Sequence, residues 1–142
     1  MLITNHVLSG ALIGLLTPDV ARAFGRGLVS HFVLDSVPHF GVDDAHLMRV
    51  AVPDGLVGLT AIAVIARATP RRRVPPLLCG IAGACLPDLD KPGRQFFGRS
   101  PFPPWFDRAH AVIQPESTRR FPVEVAAASA FTVALVVLLR GS

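Results

Sequence analysis

The sequence predicts an all-α fold: a polytopic membrane helical bundle of about four to five short helices, with a polar His/Asp cluster at one membrane face. Three observations carry this expectation. Hydrophobic residues fill 51% of the 142 positions and charged residues only 17%, with a mean hydropathy of +0.49, whereas an ordinary soluble domain carries about a quarter charged residues. The apolar residues fall into five stretches, Leu2 to Leu16, Gly27 to Phe40, Val50 to Ala66, Val74 to Pro87 and Phe121 to Leu139. Ionisable residues lie inside or at the ends of these stretches, where burial is costly without a partner or a bound cation.

The first stretch contains Gly10 and Gly14, a Gly-x-x-x-Gly pair suited to close helix contact, and His6 near its start. It is not read as a cleaved leader. No basic region precedes it, and Thr17-Pro18-Asp19 interrupts it ahead of Ala21-Arg22-Ala23. The second stretch holds His31, Asp35 and His39 at intervals of four. At about 3.6 residues per turn these fall on one helical stripe, where two imidazoles and a carboxylate converge on a cation. Pro38 can kink that helix and shift His39 to its end. The alternative is a hydrogen-bonded His31–Asp35 pair that fixes helix packing.

The third stretch carries Asp54 after Pro53, read either as a ligand or as an acid complementing the helix dipole. Arg67 and Arg71 to Arg73 follow in a short connection, as the positive-inside rule expects of a cytoplasmic loop. The fourth stretch has a second small face, Gly80, Gly83 and Ala84, and closes on Pro87-Asp88-Leu89-Asp90. A solvated turn is the alternative for its two aspartates. Cys79 and Cys85 lie six apart on different helical faces, which fits packing thiols rather than a disulfide or a Cys-x-x-Cys metal site. Residues 91–120 read as a long loop between the last two helices. It carries His110 and an irregular aromatic segment, Pro101 to Phe106, placed as an interfacial anchor or a lid. Phe121 to Leu139 is the one uninterrupted span, and residues 1–142 read as a single membrane-embedded domain.

The sequence pI near 10.4 is explained by topology rather than by nucleic-acid binding, because no aromatic interleaving or nucleic-acid motif accompanies the basic residues. With the Arg71 to Arg73 loop inside and five spans, Arg22, Arg26 and Arg140 also fall in the cytoplasm. His6, His39, Asp54, the Pro-Asp-Leu-Asp element and His110 then gather on the extracytoplasmic side.

Asn5-His6 followed by Gly10-Ala11, the segment from His31 to His39, and Gly83-Ala-Cys-Leu-Pro87-Asp88-Leu-Asp90 resemble small bacterial and archaeal inner-membrane proteins described as membrane-bound metal-dependent hydrolases. The resemblance covers roughly the first ninety residues, and His110 less closely. It implies an inner-membrane location and metal-ligand roles for His6, His31, Asp35, His39, Asp88 and Asp90. The His-x-x-x-Asp element is more distantly similar to the helical zinc-dependent phospholipase C and nuclease group. Where the family has a histidine soon after Pro-Asp-Leu-Asp, this chain has Lys91-Pro92-Gly93-Arg94, and its next histidine is His110.

Imidazole and carboxylate without cysteine suit a divalent metal, zinc first, with manganese or iron as alternatives. The expected ligand set is His6, His31, Asp35, His39, Asp54, Asp88, Asp90 and His110, with Asp35, Asp88 and Asp90 in catalytic roles. An open coordination position would activate water, and a second metal, compatible with this many ligands, would favour phosphoester cleavage. Arg94 and Arg108 are the expected phosphate holders. A site among apolar helices at a membrane face points to the bilayer as partner and to a lipid or lipid-linked phosphoester as substrate, with oligomerisation left open. No serine-hydrolase elbow, Walker loop or dinucleotide glycine pattern is present. The alternative is a non-catalytic membrane protein whose His/Asp network is structural, or binds metal for assembly or ion handling.

Overall fold

The computed structural model describes residues 1–43 and 45–141, which form an all-helical chain. Helix α1 (Ile3–Leu16) has no side-chain cap of its own. Asp54, reaching across from α3 (Leu47–Ala68), accepts the Ile3 and Thr4 amides at 2.6 and 3.2 Å. Those amides are orphan donors of a helix start, where a carboxylate also complements the dipole. Helix α2 (Val20–Ser36) opens on Asp19, whose carboxylate accepts the Arg22 amide at 2.7 Å. It stops ahead of Pro38 because a residue preceding proline is kept out of the helical region, and Val37 is extended, with ψ of 132°.

Helix α4 (Val74–Cys85) takes Pro75 and Pro76 in its first turn, where a missing N–H breaks no helical bond. Helix α5 (Asp90–Phe97) closes on Gly98, whose φ of 69° is a left-handed conformation that glycine adopts freely. Helices α6 (Pro104–Val112) and α7 (Phe121–Arg140) complete the chain, and 3-10 turns at Arg71–Arg73, Pro87–Leu89 and Thr118–Arg120 join the elements.

Helix α1 is central and touches α2, α3, α4 and α7. Its Val7, Leu8, Ala11 and Leu15 meet Ile65 of α3, Leu77 and Ile81 of α4, and Leu135 of α7 in one apolar core. Helices α1 and α4 approach at backbone distance. A Cβ added at Gly10 would stand 2.6 Å from the Gly80 carbonyl oxygen and 2.7 Å from the Ile81 Cα, and one at Gly83 would strike the Phe24 carbonyl. The two small faces expected from the sequence are thus the surfaces along which α4 packs against α1 and α2. Asp54 and Glu124 both bond to the start of α1, so α1, α3 and α7 run the same way. That direction places Arg71 to Arg73 and Arg140 at the opposite end from the Pro87–Leu89 turn.

Two sequence expectations change. Among the described residues, two segments are long and apolar enough to cross a membrane, Leu47–Ala68 and Thr118–Arg140, of 22 and 23 residues. Helices α1, α2 and α4, of 14, 17 and 12 residues, fall short of the roughly 20 that a span requires. Residues 91–120, expected as a loop, contain α5 and α6. Helices of eight and nine residues with mixed polar and aromatic side chains leave no apolar run long enough for hydropathy to register.

Candidate metal centre

His31 and Asp35 share one stripe of α2 and are fully buried. Asp88, in the turn after α4, and His110, near the end of α6, close on them from the other side. One ligand atom from each of His31, Asp35, Asp88 and His110 lies within 4.8 Å of the others, and all four residues are buried. His6 of α1 flanks the group. Its Nε2 stands 3.1 Å from Asp35 Oδ1 and 3.7 Å from Asp88 Oδ2, and its ring stacks on His31 at 4.2 Å between centroids. Asp90 lies on the far side of His110, its Oδ2 3.7 Å from Nδ1.

Hydrogen bonding reveals what the centre lacks. His31 Nδ1 lies 2.7 Å from the Ala84 carbonyl oxygen. A carbonyl only accepts, so Nδ1 donates to it, which turns Nε2 towards the centre. Nε2 lies 3.1 Å from Asp35 Oδ2 and 2.9 Å from His110 Nε2. His110 Nε2 is itself 3.2 Å from Asp35 Oδ2. Two imidazole nitrogens and a carboxylate oxygen thus meet in a dry interior, where either a proton or a cation lies among them. A ring held by Nδ1–H on a backbone carbonyl, with Nε2 towards carboxylates, is also how metal-binding histidines are oriented. Buried and without a hydrogen bond nearby are His6 Nδ1 and Asp90 Oδ1. The donor set of imidazole and carboxylate fits zinc, manganese or iron.

Four expected ligands or substrate residues stand elsewhere. His39 leaves the stripe because α2 ends at Ser36. It pairs instead as an isolated bridge with Glu116, its Nδ1 donating to the Val37 carbonyl at 2.7 Å and its buried Nε2 standing 3.6 Å from Glu116 Oε1. Asp54 is held by the α1 amides, with each carboxylate oxygen accepting one of them. Of the two arginines, Arg94 lies between Asp107 and Asp90 at 3.0 and 3.5 Å, while Arg108 is exposed on α6.

Other residues enter that the sequence did not single out. The Gln114 amide donates to Asp35 Oδ2 at 2.6 Å and lies 2.9 Å from His110 Nε2. Lys91 pairs with Asp88 Oδ1 at 2.9 Å; burial opposes its charge, yet Asp88 holds its pKa above the ordinary lysine value. Glu124, buried in α7, accepts the Leu2 amide, the Asn5 side chain and the Phe40 amide. A lone acid in an apolar segment is the signal that singled out Asp35, and it applies equally to Glu124.

His110 links the centre to pH. Burial opposes its charge, but hydrogen bonds to Asp35 and Asp90 outweigh burial and raise its pKa to about 9. Without metal the ring is therefore protonated at neutral pH. Its contribution to stability is complete below the ordinary value of 6.5 and is lost as pH rises towards about 9. Metal ligation needs the neutral ring, so apparent zinc affinity rises with pH, by about 10-fold per unit for one displaced proton. Chelator competition at pH 6.5, 7.5 and 8.5 measures this slope, and a flat profile would remove His110 from the ligand set.

Compared with known protein families, curated proteins and solved structures, the chain has no significant match.

Proposed function

We propose that this protein is a membrane-bound metal-dependent hydrolase that cleaves a phosphoester of a lipid or lipid-linked substrate. The observation that carries this reading is the buried His31/Asp35/Asp88/His110 group, in which two imidazoles and two carboxylates bring one ligand atom each to within 4.8 Å of the others. A divalent cation bound there supplies Lewis-acid charge and water activation. His31 and His110 hold it from α2 and α6, while Asp35 and Asp88 neutralise its charge. Gln114 fixes the Asp35 carboxylate by donating to Oδ2. Asp90, with a buried oxygen lacking a hydrogen bond, stands beside His110 as the remaining carboxylate of the centre.

Membrane residence is supported by where the apolar side chains point. Only 11% of the apolar window in each long segment is buried, and Leu56, Leu59, Val133 and Val137 are each more than 60% exposed. A soluble protein buries such helices in its core, whereas these present their apolar sides outward, as lipid-facing spans do. A 22-residue helix is about 33 Å long, enough to cross the hydrocarbon layer. In this reading α3 and α7 span the inner membrane and α1, α2 and α4 complete the polytopic bundle as shorter helices. The Arg71–Arg73 end faces the cytoplasm and the metal centre the opposite side.

The test is elemental analysis of the detergent-purified full chain, followed by assay on phospholipids and polyprenyl phosphates before and after chelation. Expected are near-stoichiometric zinc, manganese or iron and a phosphoester cleavage that chelator abolishes and metal restores. Absence of metal even after reconstitution would overturn the hydrolase reading and leave a structural His/Asp network. Metal without cleavage of any such substrate would favour a role in assembly or ion handling.

A further inference from the structure

A cleft of about 720 Å³ opens beside the metal centre, a size typical of small-molecule sites. Asp88, Asp90, Lys91 and Gln114 line its polar end, and the opening turns of α3, including Leu47, Val50 and Ala51, line another wall. The two cations at the polar end differ in their partners. Arg94 lies between two carboxylates. Lys91, one-third exposed, pairs among the described residues with Asp88, and an ammonium has three donors. Asp88 joins this lysine to the centre, since Oδ1 meets Lys91 while Oδ2 faces His6.

We propose that Lys91 and the adjacent metal centre form a phosphate subsite, taking the head of an amphiphile whose apolar chain lies along Leu47, Val50 and Ala51 of α3. The proposal rests on the metal-dependent reading above and adds the residue that receives the anion and the wall that receives the chain. Without a cation in the centre the cleft is acidic, because Asp88, Asp90 and Glu116 line it along with Lys91 and Arg94; an oxyanion therefore binds only after the metal has offset those carboxylates. Helix α3 is one of the two segments able to cross a membrane, so the apolar wall continues towards lipid. An amphiphile then reaches Lys91 without its chain leaving an apolar environment. Inorganic phosphate shares the head-group chemistry and lacks the chain.

The test uses the full chain in dodecyl maltoside, loaded with manganese, with 31P relaxation reporting phosphate close to the ion. Inorganic phosphate and dodecyl phosphate are titrated against the wild type, Lys91→Met, Lys91→Arg and Leu47→Ser, with manganese content measured for each. Dodecyl phosphate is expected to bind at least ~10-fold more tightly than inorganic phosphate, given the roughly tenfold per 1.4 kcal/mol relation of affinity to free energy. Lys91→Met weakens both ligands at least ~10-fold at unchanged manganese content, and Lys91→Arg restores most of the loss. Leu47→Ser reduces the preference for dodecyl phosphate and leaves inorganic phosphate unchanged. Equal affinity of Lys91→Met and wild type overturns the subsite. Equal binding of the two phosphates overturns the amphiphile and leaves a free-phosphate site. A wild type that takes up no manganese fails at the metal reading itself, which the elemental analysis separates from the other two results.

Discussion

Asp35→Asn is expected to abolish the metal binding proposed for the centre while leaving the helical fold in place. Asp35 Oδ2 is 3.1 Å from His31 Nε2, 3.2 Å from His110 Nε2 and 2.6 Å from the Gln114 amide, and Oδ1 is 3.1 Å from His6 Nε2. Among the described residues no other carboxylate touches as many of the centre's side chains. The amide keeps the volume and one acceptor but removes the negative charge and replaces one oxygen with a donor. Partners lying outside the ligand shell typically cost 10–100-fold in metal affinity when removed, so losing a ligand carboxylate costs at least ~100-fold, or about 2.7 kcal/mol. Elemental analysis of wild type and variant, matched by far-UV circular dichroism and elution volume, measures the loss. A folded Asp35→Asn protein that keeps its metal would place the cation elsewhere and remove the basis of the proposed chemistry.

The part of this centre visible in the sequence is the part that obeys a local period. His31 and Asp35 lie four apart on a continuous helix, so spacing alone puts them on one stripe. His39 has the same spacing, but Pro38 ends the helix between them, and the extended backbone at Val37 carries His39 to Glu116. Asp88 and Asp90 were legible as acids closing an apolar stretch, and His110 through the sidedness of the chain. Asp54 illustrates the opposite case. Its carboxylate complements a helix start as expected of an acid near an N-terminus, but the helix is α1 rather than its own α3. That choice depends on how two helices pack, which no local pattern encodes. Gln114 and Lys91 are of the same kind, ordinary polar residues whose importance comes from the carboxylates they meet. Four of the five apolar stretches located their helices within a few residues, but the second, Gly27 to Phe40, missed the opening turns of α2, which begins at Val20, and hydropathy alone did not distinguish the helices that face outward from those that enclose one another.

The two buried carboxylates of the chain's apolar segments separate by the character of their partners, and Glu124→Ala tests that separation. Asp35 meets three imidazoles, of His6, His31 and His110, beside the Gln114 amide and the Met1 ammonium. Glu124 meets donors only: the Leu2 amide at 3.1 Å, the Asn5 side chain at 2.7 Å and the Phe40 amide at 3.1 Å. It thereby ties the start of α1 and the segment after α2 to α7, satisfying one buried and two part-buried donors. Truncation leaves these donors unpaired in the interior at about 1–3 kcal/mol each, so Glu124→Ala is expected to destabilise the protein by at least ~3 kcal/mol in denaturant unfolding. Glu124→Gln retains one acceptor and falls between the two. Neither change touches the four-residue group, so whatever fraction remains folded keeps its full metal content. A Glu124→Ala cost below about 1 kcal/mol would mean that water reaches those donors, and a loss of metal at full foldedness would mean that Glu124 belongs to the centre.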